Sequence, residues 1–239
     1  MVNDVPKPLA PVHGRPFIEF QLDYLQSQGV KRVVLAVGYQ WNMIQEHLGD
    51  TYNGLDLTYS VEQQPLGTGG GLLLAIKTLG SAWHTRDEIS SDRKEHSILV
   101  LNGDTWFPVS LSALLSFHHA KCSVATVGVS QQQNTQRYAA IELSPNGRIQ
   151  RFSAGMKHMH NHDIFINGGV YIIANRLLSK WEEKTGQKMS LEQDMLENIV
   201  MENNCYGFVS NAAFLDIGVP DAYDQAQQMF FDTECSSML

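Results

Sequence analysis

The 239-residue sequence contains little cysteine and no excess of positive charge. Its three cysteines, Cys122, Cys205 and Cys235, are odd in number and widely spaced. This predicts free thiols in a reducing compartment rather than a disulfide framework. The 17 Lys and Arg against 25 Asp and Glu give a formal net charge of -8. A nucleic-acid-binding surface needs a basic face, so this charge balance argues against nucleic acid as a partner.

Long apolar runs are also absent. No segment approaches the ~20 apolar residues of a membrane span. The N-terminus does not show the basic and then apolar pattern of a signal peptide. Repeats, low-complexity segments and Pro/Ser-rich linkers are missing as well. We therefore expect one domain over residues 1–239, in the cytoplasm, with no membrane association.

What the sequence does contain is an alternation of strand-like and helix-like segments. This alternation predicts an α/β fold with a mixed, mostly parallel sheet flanked by helices. The clearest central strand is Ser97–Leu101, and a β-branched run over residues 31–37 reads as a doubly buried strand. Ser190 begins a capping box that predicts a helix through Val200.

Two carboxylates follow short apolar runs at predicted strand ends. Asp104 closes the strand at Ser97–Leu101, and Asp216 follows Phe214-Leu215. Ligands of open α/β sheets bind outside the carboxyl ends of strands. Either aspartate alone is as readily explained by a turn or a helix cap. Together they favour Mg²⁺, with phosphate oxygens and water completing six oxygen ligands.

Several motifs, in order over essentially the whole chain, resemble those of the sugar-phosphate nucleotidylyltransferases. The matching segments are Lys7-Pro8-Leu9-Ala10-Pro11 (K-P-x-x-P), Glu62-Gln63-Gln64-Pro65-Leu66-Gly67-Thr68-Gly69-Gly70 (the base-recognition loop), Leu101-Asn102-Gly103-Asp104 (N-G-D), Asn167-Gly168-Gly169-Val170-Tyr171 (sugar binding), Ser190-Leu191-Glu192-Gln193-Asp194 (S-L-E-x-D) and Phe214-Leu215-Asp216-Ile217-Gly218-Val219-Pro220 (D-I-G-T-P). The amino-acid sequences of these motifs are most similar to those of the branch that makes GDP-activated heptose and related sugars.

The resemblance implies a Rossmann-like fold of the GT-A nucleotidyltransferase type. It also implies an enzyme that joins a nucleoside triphosphate, with GTP favoured, to a sugar 1-phosphate and releases pyrophosphate. Such sugar nucleotides supply lipopolysaccharide or capsule synthesis, and the sequence leaves a homo-oligomer open. The implied roles are Mg²⁺ binding for Asp104 and Asp216, phosphate contact for Lys7, base contact for Glu62, Gly67 and Gly69, sugar binding for Asn167 and Gly168, and substrate binding for Glu192.

The residue types are compatible with these roles, although each has a plainer explanation. Glycines in the segment 66–71 let backbone approach a planar base closely, and a plain strand-to-helix turn is the alternative. The segment 167–169 interrupts a strand, as a close ligand approach or a bulge would. Lys7 lies between two prolines, so its ammonium can be aimed from a stiff extended segment, whereas the alternative is an ordinary surface lysine.

The chain departs from the family pattern on the ligand side. The leading strand and the G-G-x-G-T-R-L loop are not found before Lys7. The family's R-Y-G is here Arg137-Tyr138-Ala139, and R-F-x-E-K is Arg151-Phe152-Ser153-Ala154-Gly155, for which Lys157 is a weak substitute. These differences support a rival hypothesis: a catalytically impaired homologue that binds a sugar nucleotide or a partner.

The missing strand lies in mid-sheet in the family, so its two neighbours would be left with unpaired backbone groups. Each buried unpaired group costs about 1–3 kcal/mol. Either the natural protein begins further upstream, or the sheet has closed over the gap, or a partner supplies the strand. A separate run of alternating histidines over residues 157–163 suggests a transition-metal site only weakly, because no matching ligands are evident elsewhere.

Overall fold

A computed structural model of the chain describes residues 5–79, 96–132, 140–153, 164–202, 204–218 and 220–236. The strands are β1 (Pro11–Val12), β2 (Arg15–Pro16), β3 (Arg32–Val37), β4 (Thr51–Tyr52), β5 (Leu55–Val61), β6 (Ser97–Leu101), β7 (Thr105–Trp106), β8 (Ala125–Gln132), β9 (Ala140–Leu143), β10 (Ile149–Ser153), β11 (Ile164–Ala174), β12 (Cys205–Ser210) and β13 (Leu215–Asp216). The α-helices are α1 (Phe17–Ser27), α2 (Trp41–Leu48), α3 (Gly67–Leu79), α4 (Leu111–Ala120), α5 (Asn175–Leu178), α6 (Glu197–Met201) and α7 (Pro220–Ser236). None of the helices in these ranges is both long and apolar enough to cross a bilayer.

The largest sheet is built around β11, the longest strand. Its strands follow the order β10-β9-β11-β8-β12, and β6 pairs with the second half of β11. Strand β11 runs antiparallel to β6, β8 and β9, and β12 runs parallel to β8. The predicted mixed α/β fold is confirmed. The parallel share is smaller than predicted, because β11 lies antiparallel between β6 and β8.

A second sheet has the order β3-β5-β4. Strands β3 and β5 are parallel, as expected when a helix (here α2) connects them. Among the described residues, β3 has a ladder partner only in β5, and β6 only in β11. No ladder joins β3 to β6, so the sheet has not closed between them. The residues of β3 are also more exposed than the doubly buried strand that the sequence predicts.

Apolar side chains pack both sheets to the surrounding helices. One cluster contains residues from both sheets and lies between β3 and β6. In it, Leu25 of α1 and Leu114 of α4 pack with Val170 and Ile172 of β11. Val33 of β3 and Leu99 and Leu101 of β6 pack against this cluster. Another cluster covers the opposite face of the main sheet with α3 and residues 189–200. Side-chain packing, rather than backbone pairing, therefore links β3 to β6.

Most predicted elements are present, and the differences occur near Lys7, Gly67 and Ser190. Helix α3 begins at Gly67, five residues before the predicted apolar start. Lys7 begins a short 3-10 turn, Lys7–Leu9, rather than an extended segment, with Ala10 N donating to Lys7 O at 3.0 Å. The Ser190 cap opens a π-helical turn, Leu191–Leu196, that continues as α6. The segments at Lys7 and Gly67 are more tightly wound than the sequence predicts, whereas the π-helical turn is wider than the predicted α-helix.

Candidate functional site

Three charged side chains from distant parts of the chain meet beside Gly218. A Cβ atom placed on Gly218 would lie 2.9 Å from Asp216 Oδ1, 3.3 Å from Asp104 Oδ2 and 3.5 Å from Lys7 Nζ. Glycine therefore leaves room here that any other residue would fill. The structure brings together the three residues that the sequence predicts around metal and phosphate.

Strands β7 and β13 bring the two aspartates together. These strands pair antiparallel, with Asp216 opposite Thr105, and Ile217 N donates to Asp104 O at 3.0 Å. Asp216 Oδ1 also accepts from Gly218 N at 2.9 Å, which fixes its carboxylate over the turn. The aspartates are thus held by backbone pairing, 112 positions apart in the sequence.

Lys7 is held beside them by the C-terminal helix. The hairpin β1–β2 follows Lys7, and its Pro11 carbonyl accepts hydrogen bonds from Tyr223 Oη and from Gln227 Nε2 of α7. His13 N donates to Gln227 Oε1 at 2.8 Å. Since α7 begins four residues after Asp216, one helix positions both the lysine segment and an aspartate.

The electrostatics of this site favour a cation. Burial and then the neighbouring Asp216 raise the pKa of Asp104, and Lys7 opposes that shift. Two facing carboxylates and the space beside Gly218 fit a hard divalent ion, which prefers oxygen ligands. Within the described ranges no group of three or more His, Cys, Asp and Glu side chains forms a metal cluster. Asp104 and Asp216 would therefore supply two ligands, leaving the remaining positions to phosphate oxygens and water.

Gln21, a buried residue that the sequence does not single out, supports the loop of residues 102–105 that carries Asp104, here called the aspartate loop. Gln21 of α1 is 7% exposed, and its Nε2 donates to Asn102 O at 2.9 Å and to Thr105 O at 2.8 Å. These carbonyls flank Gly103 and Asp104. The available signal was a polar residue on the apolar face of α1, because buried amides are rarely left without partners.

The glycine-rich turn, residues 66–71, packs closely against other backbone. The positions that Cβ atoms would take on several of its glycines lie against the segment 187–191. Gly67 has φ of +71°, and a Cβ there would lie 2.5 Å from Met189 O. A Cβ on Gly70 would lie 2.4 Å from Gln187 O. Gly69 N donates to Met189 O at 2.9 Å. The turn therefore needs several glycines to dock on the segment 187–191.

The predicted base contact Glu62 lies at the start of this turn. Its Oε2 accepts from Leu66 N at 3.0 Å, and its Oε1 lies 2.8 Å from the position of a Cβ on Gly38. Glu62 N donates to Val37 O at 2.9 Å. The carboxylate thus lies between the ends of β3 and β5 and braces the turn that follows.

The segment 167–169 forms an irregularity in β11, where the pairing with β8 shifts between Asn167 and Tyr171. A Cβ on Gly168 would lie 2.3 Å from the Phe107 ring. Gly169, with φ of +71°, packs against Asn102, which donates from its backbone N to Gly169 O at 2.8 Å. The irregularity therefore joins the predicted sugar segment to the loop that carries Asp104.

The predicted substrate residues Asn167 and Glu192 share a hydrogen-bonding partner, Tyr171. Its hydroxyl accepts from Asn167 Nδ2 at 2.7 Å and donates to Glu192 Oε1 at 2.9 Å. Tyr171 belongs to the predicted sugar-binding motif, but the sequence alone does not indicate a separate role for it. The departures at Ala139 and Ala154-Gly155, Lys157 and the histidines of 157–163 lie outside the described residues.

Comparison with known proteins identifies relatives over nearly the whole chain. Residues 1–232 match the family described as Nucleotidyl transferase. The D-glycero-alpha-D-manno-heptose 1-phosphate guanylyltransferase of Aneurinibacillus thermoaerophilus is 34% identical over 228 residues, which cover 95% of this chain and 90% of the relative. The Campylobacter jejuni enzyme of the same name is 30% identical, covering 93% and 90%.

A more distant relative and one solved structure extend the comparison. The probable mannose-1-phosphate guanylyltransferase 3 of Arabidopsis thaliana is 27% identical, covering 96% of this chain and 66% of its own length. The crystal structure of HddC from Yersinia pseudotuberculosis has a TM-score of 0.77 at 25% identity and covers 96% of this chain and 92% of its own. The same protein has been crystallised in complex with GMP-PN, with a TM-score of 0.77 at 24% identity.

Proposed function

The chain belongs to the nucleotidyl transferase family, and we propose that it transfers GMP from GTP to a sugar 1-phosphate of the manno configuration. Relatives that are heptose 1-phosphate and mannose-1-phosphate guanylyltransferases support this choice. A phosphate oxygen of the sugar phosphate attacks the α-phosphorus of GTP. The new O–P bond forms as the bond to the bridging oxygen breaks, and pyrophosphate leaves. GDP-heptose or GDP-mannose is the product.

The observation that carries the proposal is the meeting of Lys7, Asp104 and Asp216 beside Gly218. In our assignment the two aspartates hold a divalent cation, Mg²⁺ being the proposed ion, which when bound neutralises phosphate charge. Lys7 adds a positive charge for the phosphates, and its fixed segment lets it contribute without reorganisation. Such a reaction depends mainly on positioning and on charge stabilisation.

The remaining residues form the two sides of the site. Glu62 and the turn containing Gly67 and Gly69 are assigned to the base. Asn167, with Gly168, is assigned to the sugar. Because the Cβ sides of these glycines face protein, any ligand contact would come from their backbone amides or carbonyls. We propose the cytoplasm as the compartment, in line with the free thiols of Cys122 and Cys205.

Pyrophosphate release from GTP with a heptose or mannose 1-phosphate, in Mg²⁺, tests the proposal. Substituting Asp104→Asn or Asp216→Asn keeps side-chain size and removes a negative charge. We expect each to lower kcat by about 100-fold or more, because interactions made at the reacting phosphate act mainly in the transition state. The matched control is Asp56→Asn, an exposed aspartate on β5, whose kcat should equal that of the unchanged protein.

The outcomes separate the enzyme from its rival. Turnover that is selective for GTP and lost in both aspartate variants supports the guanylyltransferase. No turnover with any nucleoside triphosphate, together with nucleotide binding unchanged by Asp104→Asn, would instead support a binding protein without catalysis. Activity retained in Asp216→Asn would remove that residue from the proposed site.

A further inference from the structure

A buried hydroxyl lies between Asn167, which is assigned to the sugar, and Glu192. Tyr171, on β11, has no exposed surface. Its ring lies in the apolar cluster with α3 and residues 189–200, and its Oη reaches Asn167 and Glu192. A hydroxyl in such a cluster is costly unless it is hydrogen-bonded. These two bonds, with a further side-chain contact from Asn102, satisfy the hydroxyl and tie Asn167 to Glu192.

The carboxylate of Glu192 is occupied by protein hydroxyls. Oε1 accepts from Tyr171 Oη at 2.9 Å, and Oε2 accepts from Thr68 Oγ1 and from Ser190 Oγ, each at 3.2 Å. Thr68 Oγ1 accepts in turn from Leu191 N at 2.8 Å. Three hydroxyls from three segments thus fix one carboxylate, and Thr68 joins it to the glycine-rich turn.

The amide of Asn167 is fixed at both ends. Nδ2 donates to Tyr171 Oη at 2.7 Å, and Oδ1 accepts from Gly169 N at 3.0 Å. These bonds determine which end of the amide is the donor and leave one N–H and one lone pair for a ligand. Gly169 also bonds to Asn102, two residues before Asp104. The chain of hydrogen bonds therefore runs from the glycine-rich turn to the aspartate loop.

Burial, and then the charge of Glu192, raise the pKa of Tyr171 well above its ordinary value. The hydroxyl is therefore a permanent donor to Glu192 at physiological pH. Because it accepts from Asn167 while donating to Glu192, its proton has one preferred direction. A phenylalanine ring would fill the same space and remove the contacts to Asn167, Glu192 and Asn102.

We propose that Tyr171 is a positioning residue for the sugar 1-phosphate: its hydroxyl holds the Asn167 amide and the Glu192 carboxylate in the orientation that the sugar meets. This inference rests on the guanylyltransferase function proposed above. Glu192 in turn fixes the direction of the Tyr171 hydroxyl, because its Oε1 accepts from that hydroxyl. Because the direct partners of Tyr171 include Asn167, we expect its loss to affect the sugar side of the reaction more than the GTP side.

The test is steady-state kinetics of Tyr171→Phe with each substrate varied separately. We expect KM for the sugar 1-phosphate to rise about tenfold, with KM for GTP within about twofold, because one oriented ligand contact is lost. The matched control is Tyr206→Phe. Tyr206 is a nearly buried tyrosine of β12 whose hydroxyl meets Arg148 at 3.5 Å, and its loss should change neither KM.

A second pair of variants keeps the test decisive if Tyr171→Phe does not fold. Thr68→Val removes the hydroxyl that bonds Glu192 from the other side, and Thr68→Ser keeps it. We expect Thr68→Val to raise KM for the sugar 1-phosphate, and Thr68→Ser to have the same KM as the unchanged protein. The proposal is overturned if Tyr171→Phe matches Tyr206→Phe, if both substrates are affected equally, or if Thr68→Val and Thr68→Ser behave alike. Absence of turnover in the unchanged protein would instead count against the function itself.

Discussion

At the scale of single residues, His118 shows how a buried side chain makes stability depend on pH. It is 3% exposed at the end of α4, where its Nδ1 meets Thr126 Oγ1 at 2.8 Å and its Nε2 meets Ser97 Oγ at 3.3 Å. Burial, and then the nearby His119 and Arg176, lower its pKa to about 4. The imidazole is therefore neutral in the folded protein near neutral pH.

This lowered pKa predicts a loss of stability in mild acid. The unfolded state binds a proton near pH 6.5 and the folded state only near pH 4. The free energy of unfolding is therefore highest above about pH 6.5 and falls as the pH decreases towards 4. The loss amounts to about 2–3 kcal/mol in the free energy of unfolding. Urea denaturation at several pH values measures it. His118→Gln should flatten the slope over this range, and an unchanged slope would contradict the assignment.

The sequence reveals residues whose role is fixed by their place at a strand end, and it misses those whose partners are distant. Asp104 and Asp216 follow apolar strands, so their convergence at one sheet edge could be anticipated. Gln21 and Tyr171 could not, because their roles depend on carbonyls or side chains 81 and 21 positions away. Only the register of the folded chain brings those groups within hydrogen-bonding distance.

At the scale of elements, the glycine-rich turn is determined by what it packs against. Glycine lowers helix propensity, which places the predicted start of α3 at the apolar residues after the turn. The observed helix begins at Gly67 because the segment 187–191 accepts hydrogen bonds from Gly69 and Gly70 N through Met189 O. Tertiary contact therefore outweighs local preference here, and no local pattern contains that information.

Gly67→Ala tests this docking. The substituted residue would keep a left-handed φ of +71° and place its Cβ 2.5 Å from Met189 O. Gly54→Ala is the matched control, since Gly54 has φ of +84° but no atom within 4 Å of its Cβ position. We expect Gly54→Ala to cost about 1 kcal/mol and Gly67→Ala at least about 1 kcal/mol more, from urea midpoints. Equal losses would show that the turn does not depend on this contact.

At the scale of the whole molecule, the two sheets are held together without a shared ladder. Strands β3 and β6, one from each sheet, each have one hydrogen-bonded edge within the described ranges. The apolar cluster around Val33, Leu99 and Leu101 spans the distance between them. The mixed sheet and flanking helices follow from the pattern of the sequence. The opening between β3 and β6 does not, because strand order depends on pairings that no local pattern encodes.

Amide hydrogen exchange should detect these two edges. In a strand paired on one side only, about half of the backbone N–H groups have no ladder partner, so they exchange through small local openings. Strand β8 is paired on both sides, with β11 and β12. We expect amides of β3 and β6 to exchange at least about tenfold faster than those of β8 in the unliganded protein. Strand β10, which ends the main sheet, provides the internal reference for an edge.

The comparison with β10 decides what occupies the space between the sheets in solution. If amides of β3 and β6 exchange as fast as those of β10, side-chain packing alone holds the two sheets together between these strands, as the apolar clusters indicate. Protection in both strands equal to that of β8 would contradict this expectation, because it requires another backbone paired to both edges. Repeating the measurement over a range of protein concentrations separates the sources of such a backbone, since a strand from a second copy protects only when copies associate.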